Sequence, residues 1–300
     1  MNAPLVSIGI VAYNQEKFIT EAIQGAINQD YRPLEIIVAD DCSTDRTPEI
    51  IREFSMRYPD IIFPVIGQQN LGVTGNSNRA LAMCHGKYIN IFGGDDILLP
   101  NKISRQVEWM EENENRVFCG HACEIFYDDA KVASRIVHPL HISGSGAKNI
   151  ILHGPPYFAL SVLFRKSALP PYGFDERVLI VSDFMLWVDL AGTRGLWGIV
   201  DGVHAKYRRH VEGLSHISRI EALLSDTERA INIGTANYGF QDCRKRSIMN
   251  LVTIPRLVAR LKKRDFFRFF MGTTLALICH PIIFLISFGH MLKERLKNFV

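Results

Sequence analysis

An α/β fold with a mostly parallel central sheet flanked by helices, followed by a helical extension that meets a membrane, is what this sequence predicts. Three observations carry it. Short apolar runs alternate with amphipathic helical stretches through the first ninety-odd residues. Polar, largely acidic residues follow those runs. Basic charge and apolar length are concentrated at the end of the chain.

The runs at residues 5–11, 34–39, 61–66 and 88–92 are short and rich in β-branched or aromatic residues, as buried strands are. Between them, residues 16–28 place Phe18, Ile19, Ala22, Ile23, Ala26 and Ile27 at helical spacing. Residues 45–58 repeat the pattern with Ile50, Ile51 and Phe54, and 73–84 is again amphipathic. Strand and helix at such intervals imply right-handed crossovers and parallel pairing. The middle is less regular. Residues 101–113 read as a helix beginning just past Pro100, 117–127 and 132–138 as strands, and 184–191 as a helix; Ser143-Gly-Ser-Gly146 and Pro155-Pro156 read as loops, near a pocket or on the surface.

Residues 217–238 and 244–263 look helical. From Phe269 to Leu292 there are 24 residues without Asp, Glu, Lys or Arg, long enough to cross a bilayer, though Pro281 divides them. Before them, Arg260-Leu-Lys-Lys-Arg-Asp-Phe-Phe-Arg-Phe-Phe270 interleaves basic and aromatic residues as at a lipid headgroup boundary. The reading is membrane association, by spanning or by in-plane insertion; the alternative is a buried helical hairpin or an oligomer interface.

Charge supports that asymmetry. The 300 residues carry 34 Lys and Arg against 31 Asp and Glu, a net of +3, and 47% are hydrophobic, which excludes a disordered or collagen-like chain. Residues 244–300 hold a net of +10, leaving −7 for residues 1–243. An acidic body argues against an enzyme that grips nucleic acid, and a basic tail points to an anionic surface. No C-x-x-C pair and no basic, apolar leader are present, so the chain reads as cytosolic and reduced. Cys119-Gly-His121-Ala-Cys123 would place three side chains on one strand face without a fourth ligand; it reads as buried thiols, with a zinc site as the alternative.

Ligands of such sheets bind outside the carboxyl ends of the strands. The candidates there are Tyr13 and Asn14, then Asp40, Asp41 and Ser43, then Asp95 and Asp96. Asp95-Asp96 are adjacent carboxylates whose repulsion a cation would relieve, and a hard divalent ion so held completes its shell with phosphate oxygens. Gly93 and Gly94 before them would let a phosphate approach the backbone. In Asp40-Asp41-Cys-Ser-Thr-Asp45, helix capping accounts for Asp45, and one of the two preceding acids is expected to face a ligand.

Four segments in order resemble the signatures of family-two glycosyltransferases of the GT-A fold: Val6-Ser-Ile-Gly-Ile-Val-Ala-Tyr-Asn14; Glu35-Ile-Ile-Val-Ala-Asp-Asp-Cys-Ser-Thr-Asp45; Asn70-Leu-Gly-Val-Thr-Gly-Asn-Ser-Asn-Arg-Ala80; and Gly86-Lys-Tyr-Ile-Asn-Ile-Phe-Gly-Gly-Asp-Asp96. The resemblance continues more faintly to about residue 215 and leaves the tail uncovered. It implies a catalytic domain over 1–215, with a nucleotide-sugar half at 1–97 and an acceptor half at 98–215, and a basic, apolar membrane-associating region at 216–300.

The resemblance also implies roles. Tyr13 would stack on the base, Asp41 would bond the base with Asp40 beside it, and Arg79 would approach the phosphates. Asp95 and Asp96 would hold Mn²⁺ or Mg²⁺ on the donor diphosphate. Ser182-Asp183-Phe-Met-Leu-Trp187 resembles the segment that supplies the general base, which makes Asp183 the catalytic candidate, with Trp187 read as core rather than sugar platform. Tyr207-Arg-Arg-His210 resembles the downstream basic segment, so Arg208 or His210 would touch the diphosphate; the alternative is a solvated loop. Two positions depart from the pattern: Gly93 stands where many relatives have an acid, and Ser182 where many have Glu.

The implied activity is inverting transfer of a sugar from a nucleotide-diphosphate donor, with UDP-sugars favoured. The acceptor would be a hydroxyl of a glycan or polyprenyl-linked saccharide. This places the protein in cell-surface polysaccharide synthesis at the cytoplasmic side of the cell membrane, with the membrane met through 244–300. A nucleotide-dependent oxidoreductase is disfavoured because Val11-Ala-Tyr-Asn14 stands where a G-x-G-x-x-G would. A metal-dependent phosphohydrolase is a further rival. The non-enzymatic alternative, motivated by Gly93 and Ser182, is a decayed, membrane-anchored sugar-binding or scaffold protein.

Overall fold

Four parallel strands form the front of the sheet. In a computed structural model that describes residues 3–128, 132–139, 143–210, 213, 219–262 and 276, β1 (Val6–Ala12) pairs β2 (Leu34–Asp40) on one side and β4 (Tyr88–Gly93) on the other, and β3 (Ile62–Ile66) pairs β2. Helices α1 (Ile19–Ile27), α2 (Thr47–Arg57) and α3 (Gly72–Ala82) make the crossovers. The order of the sheet is β3-β2-β1-β4-β9-β6-β10-β5, where β5 is Ile97–Leu98, β6 Arg116–Tyr127, β9 Leu163–Arg165 and β10 Leu196–Arg209. Beyond β4 antiparallel pairs (β4–β9, β9–β6, β10–β5) alternate with the parallel pair β6–β10, so the sheet is mixed rather than largely parallel. The short β7 (Arg135–Val137) pairs β6, and β8 (Ser143–Ser145) pairs β10. Residues 143–146, expected as a loop, thus contribute an edge strand.

The two faces of the sheet are both covered, which is why the front strands read as continuous apolar runs. Side chains alternate along β2: Ile36 and Val38 join Ile8, Ile10, Ile19 and Ala22 under α1, while Ile37 and Ala39 join Ile91, Phe118 and Trp187 on the opposite face. Trp187 lies in the core, as expected. So do the Cys119 and Cys123 thiols, which burial pushes up to about 12. Helix α4 (Lys102–Glu111) covers β6; α5 (Lys148–His153) and α6 (Ser182–Ala191) lie on the other face.

The helices past residue 219 are part of this packing. α7 (Ile220–Tyr238) puts Leu224, Ala230 and Ile231 into the same apolar cluster as α6. α8 (Gln241–Ile248), a π-helical turn (Met249–Thr253) and α9 (Ile254–Lys262) follow, with Val252 also in that cluster. Among the described residues no helix is long and apolar enough to cross a membrane. The apolar stretch 269–292 lies outside the described residues except for Ala276.

Candidate active site

The pairing of β1 with both β2 and β4 brings three loops to one edge. Ala12 stands opposite Asp40 and Val11 opposite Gly93, so the residues that follow emerge side by side. Two backbone hydrogen bonds fix this: Asp41 N–H donates to Ala12 O and Gly94 N–H to Val11 O, each at 2.9 Å. The expected assembly of Tyr13, Asp41 and Asp95 around one rim is therefore what the register produces.

The first two loops are stitched together. Asn14 and Cys42 hold positive φ (51° and 62°), conformations that cost free energy and persist where surroundings enforce them. Here Asn14 N–H donates to Ser43 Oγ and Asn14 Oδ1 accepts from Thr44 N–H, both at 2.9 Å. Gln15 N–H donates to Thr47 Oγ1 (2.8 Å), and Asp45 accepts from Glu16 N–H and Thr47 N–H. The result presents Tyr13 48% exposed at the mouth, where a ring can take a stacked base.

Asp40 and Asp41 have duties within the protein. Asp40 is fully buried, accepting from Ser43 N–H (3.0 Å) and Ser43 Oγ (2.5 Å). Asp41, 2% exposed, accepts from Leu71 N–H and Gly72 N–H at the start of α3 (2.8 Å each) and from Arg79 (3.0 Å). Both acids are thus buried and tied to protein donors, two for Asp40 and three for Asp41, rather than one of them standing exposed at the mouth. Arg79 likewise differs from the expectation of a phosphate contact. Its guanidinium donates to Asp41, Asn76 Oδ1 and the carbonyls of Asp40 and Gln69.

The acid pair is built differently. Asp95 Oδ2 lies 3.0 Å from His210 Nε2, and its side chain is 22% exposed. Asp96 is buried, with Oδ1 accepting from Arg208 N–H at 2.9 Å. Burial and the adjacent Asp95 charge raise the Asp96 carboxyl well above the ordinary range. A cation would offset both causes, and two carboxylates with an imidazole are hard oxygen and borderline nitrogen donors suited to Mn²⁺ or Mg²⁺. Among the described residues no group of three or more His, Cys, Asp and Glu is placed to hold a metal ion; what Asp95 and Asp96 offer a divalent ion is two carboxylates, with His210 3.0 Å from Asp95. Gly93 also has a local reason: a Cβ there would meet Asp95 Oδ1 at 2.6 Å, so an acid at 93 would compete with Asp95 for its space.

Arg208 corrects a second expectation. Residues 207–209 are the end of β10, not a solvated loop, and Arg208 is 6% exposed. Its Nε donates to Asp95 O at 2.9 Å, and its terminal nitrogens pair with Glu21 and Asp128. Its guanidinium lies 4.8 Å from the Phe18 ring centroid and 4.5 Å from that of Phe126. It holds the acid loop from behind, whereas His210 faces Asp95 and packs on Phe18 at 4.9 Å.

Asp183 sits in the first turn of α6, half-buried, accepting from Phe184 N–H at 2.8 Å. Burial pushes its carboxyl up to about 6, where a general base is efficient near neutral pH. The neighbouring Ser182 is buried, so the relatives' Glu would stand in the core here rather than at the rim.

A family model, Glycosyl transferase family 2, matches residues 7–169. The chain belongs to this family. An uncharacterized protein of Mycobacterium tuberculosis is 33% identical over 218 residues, 70% of this chain and 60% of that protein. The putative glycosyltransferase EpsE of Bacillus subtilis is 28% identical over 190 residues, 62% of this chain and 66% of EpsE. The chain thus spans about 60% of the length of its mycobacterial relatives. Among solved structures, S. aureus TarS 1–349 in complex with UDP-GlcNAc superposes with a TM-score of 0.61 at 17% identity, over 82% of this chain and 71% of that one. Mannosyltransferase PcManGT from Pyrobaculum calidifontis, in complex with GDP-Man and Mn²⁺, gives 0.59 at 17% identity, over 97% and 81%. These likenesses are of fold, and they make the sheet of this family 2 glycosyltransferase a GT-A sheet.

Proposed function

We propose that the protein transfers a sugar, with inversion, from a nucleotide-diphosphate donor, with UDP-sugars favoured, to a hydroxyl of a glycan or polyprenyl-linked saccharide acceptor. The observation that carries this is the Asp95–Asp96 pair, with His210 against Asp95, beside the β1 and β2 loops, and Asp183 separately poised as a base. Solved fold relatives hold UDP, UDP-GlcNAc or GDP-Man, which supports a nucleotide-sugar donor.

Tyr13 stacks on the base, and the loop that carries it is braced by Ser43, Thr44 and Thr47. Asp95 and Asp96, with His210 against Asp95, would hold a divalent ion, which as a Lewis acid would offset charge on the departing diphosphate. Asp183 accepts the proton of the acceptor hydroxyl as that oxygen attacks the anomeric carbon from the face opposite the leaving group. Single displacement from opposite faces turns an α-linked donor into a β-linked product; retention seen by NMR would refute it. Arg208 keeps the acid loop in place and touches no substrate.

The test is a thermal-shift panel of UDP, GDP, UDP-GlcNAc and GDP-Man, with and without Mn²⁺, on the parent and on Asp96→Asn. Metal-dependent stabilisation by one nucleotide, lost in the variant, is expected, since ligands of the native state alone raise its stability. No shift with any nucleotide favours a decayed, membrane-anchored scaffold.

We place the enzyme at the cytoplasmic side of the cell membrane, in cell-surface polysaccharide synthesis, meeting the bilayer through residues 244–300. Support comes from the net +10 of that region and from Arg244, Lys245 and Arg246, all exposed on α8. Because α8 and the turn after it pack into the core, charge reversal of these three residues is a cleaner test than deletion. Sedimentation with anionic vesicles that survives both the reversal and truncation after Lys262 would refute membrane contact through residues 244–300.

A further inference from the structure

We propose that Asp226, on α7, is a positioning residue for Asp183, fixing the turn from which the base-bearing helix α6 starts. This rests on Asp183 being the general base. The carboxylate of Asp226 is 4% exposed and gathers three consecutive backbone donors: Leu179 N–H to Oδ1 at 3.1 Å, and Ile180 and Val181 N–H to Oδ2 at 2.6 and 3.0 Å. Val181 is the residue that opens α6, and it has no side chain able to accept a hydrogen bond. An acid from another helix therefore supplies what α6 lacks at its start, with the sign that a helix N-terminus favours.

Apolar burial holds only the ends of this turn, through fully buried Val178 and through Val181 packed on the core. The middle of the turn, where Leu179 is 57% exposed, has little apolar anchorage. Its other tie is at its start, where Thr74 Oγ1 donates to Val178 O at 2.7 Å. Arg229, one turn along α7, completes the clasp: its Nη1 donates to Asp226 Oδ1 (3.2 Å) and to Arg177 O (3.1 Å). The body of α6 is held independently by Phe184, Met185, Leu186 and Trp187 in the core. Loss of Asp226 should free the turn and let Asp183 swing while α6 itself stays folded.

Three variants test this, read by hydrogen exchange, by thermal shift with UDP and Mn²⁺, and by donor turnover. Turnover is UDP or GDP release from whichever of UDP-GlcNAc or GDP-Man stabilises the parent, with water as the attacking hydroxyl. Asp183→Asn tests the base itself and is expected to lower kcat by about 10²-fold or more. In Asp226→Asn the amides of 179–181 should exchange roughly tenfold to a hundredfold faster, as lost bonds to a charged acceptor imply. Amides 186–190 should stay protected. Its kcat should fall about 10²-fold, the cost of a misplacement near 1 Å, while donor KM and the nucleotide shift remain parental. Arg229→Ala should move the same readouts less far, and it carries the test if Asp226→Asn does not fold. Parental exchange and kcat in both, with Asp183→Asn inactive, would overturn the positioning role and leave the proposed function standing. A loss of donor affinity equal to the loss of kcat would mark Asp226 as merely structural and overturn it as well. An active Asp183→Asn would remove the base reading, and this inference with it.

Discussion

Replacing Arg208 with Met separates a brace from a ligand. Arg208→Met keeps a long, apolar-packing side chain but removes the Nε–H that reaches Asp95 O and the charge held against the Phe18 and Phe126 rings. The bond from the Arg208 backbone N–H to Asp96 survives, because it does not use the side chain. A charge-assisted hydrogen bond to a buried carbonyl is worth about 1.5–3 kcal/mol. Desolvated cation–π contact adds about 2 kcal/mol, of which sulfur–aromatic contact returns about half. The partner carboxylates of Glu21 and Asp128 are 56% and 47% exposed, so water reclaims them and their ion pairs add little. The net loss is about 3 kcal/mol, or roughly 5 °C in Tm for a chain of this size. Calorimetry of the protein in EDTA, without nucleotide, measures it. A surface cation reserved for a diphosphate would cost under about 0.5 kcal/mol in that state. An apo Tm within about 1 °C of the parent would refute the bracing role.

Asp183→Asn should abolish transfer, and the parent's kcat/KM should fall about tenfold per pH unit below about pH 6, where the base becomes protonated. The raised pKa means that folding favours the neutral acid: the stabilising contribution is full below about pH 4 and is lost as pH rises through about 6. Asp183→Asn should therefore unfold at a higher temperature than the parent at pH 8 while being inactive, and equal or lower stability there would contradict the burial argument. Asp96→Asn removes a buried charge that Asp95 repels, so its metal-free Tm should rise even as Mn²⁺-dependent UDP binding disappears; calorimetry with and without Mn²⁺ checks both. Tyr13→Ala should weaken nucleotide binding by about 1–3 kcal/mol, the value of one base–aromatic stack, without changing the apo Tm; titration calorimetry with UDP reads it.

The front of the fold was legible because β1, β2 and β4 are buried on both faces and end abruptly in polar residues. Apolar runs marked the strands, and their carboxyl ends marked Tyr13, Asp41, Asp95 and Asp96. Which of those acids is spoken for was not legible. Asp40 and Asp41 are neighbours in sequence, yet their partners are Ser43 for one and Leu71, Gly72 and Arg79 for the other, thirty or more residues on for the latter. Only the register decides that. β10 escaped for a different reason: glycines at 198 and 202 and register shifts against β6 break its alternation, so its end read as a loop, with Arg208 at the diphosphate or in solvent rather than inside a strand. Asp226 carried no local signal at all, since its donors are the backbone of a turn 45 to 47 residues earlier.

Charge accounting at the rim leads to one further expectation. Arg208 is neutralised by Glu21 and Asp128, and Arg79 by Asp41, so two arginines that would otherwise meet a diphosphate already serve the protein's own carboxylates. The donor's negative charge would approach Asp95 and Asp96, which are themselves negative or held protonated at a cost. Electrostatics of that kind oppose a bare diphosphate and favour one that arrives with a divalent cation. Nucleotide binding should then fall by more than tenfold in EDTA and return with Mn²⁺ or Mg²⁺, and it should do so without His210 acting as a phosphate donor. His210→Ala should weaken the metal dependence, shifting the Mn²⁺ concentration for half-maximal binding upward. His210→Ala that weakens binding equally in EDTA and in Mn²⁺ would instead assign the imidazole to the phosphates.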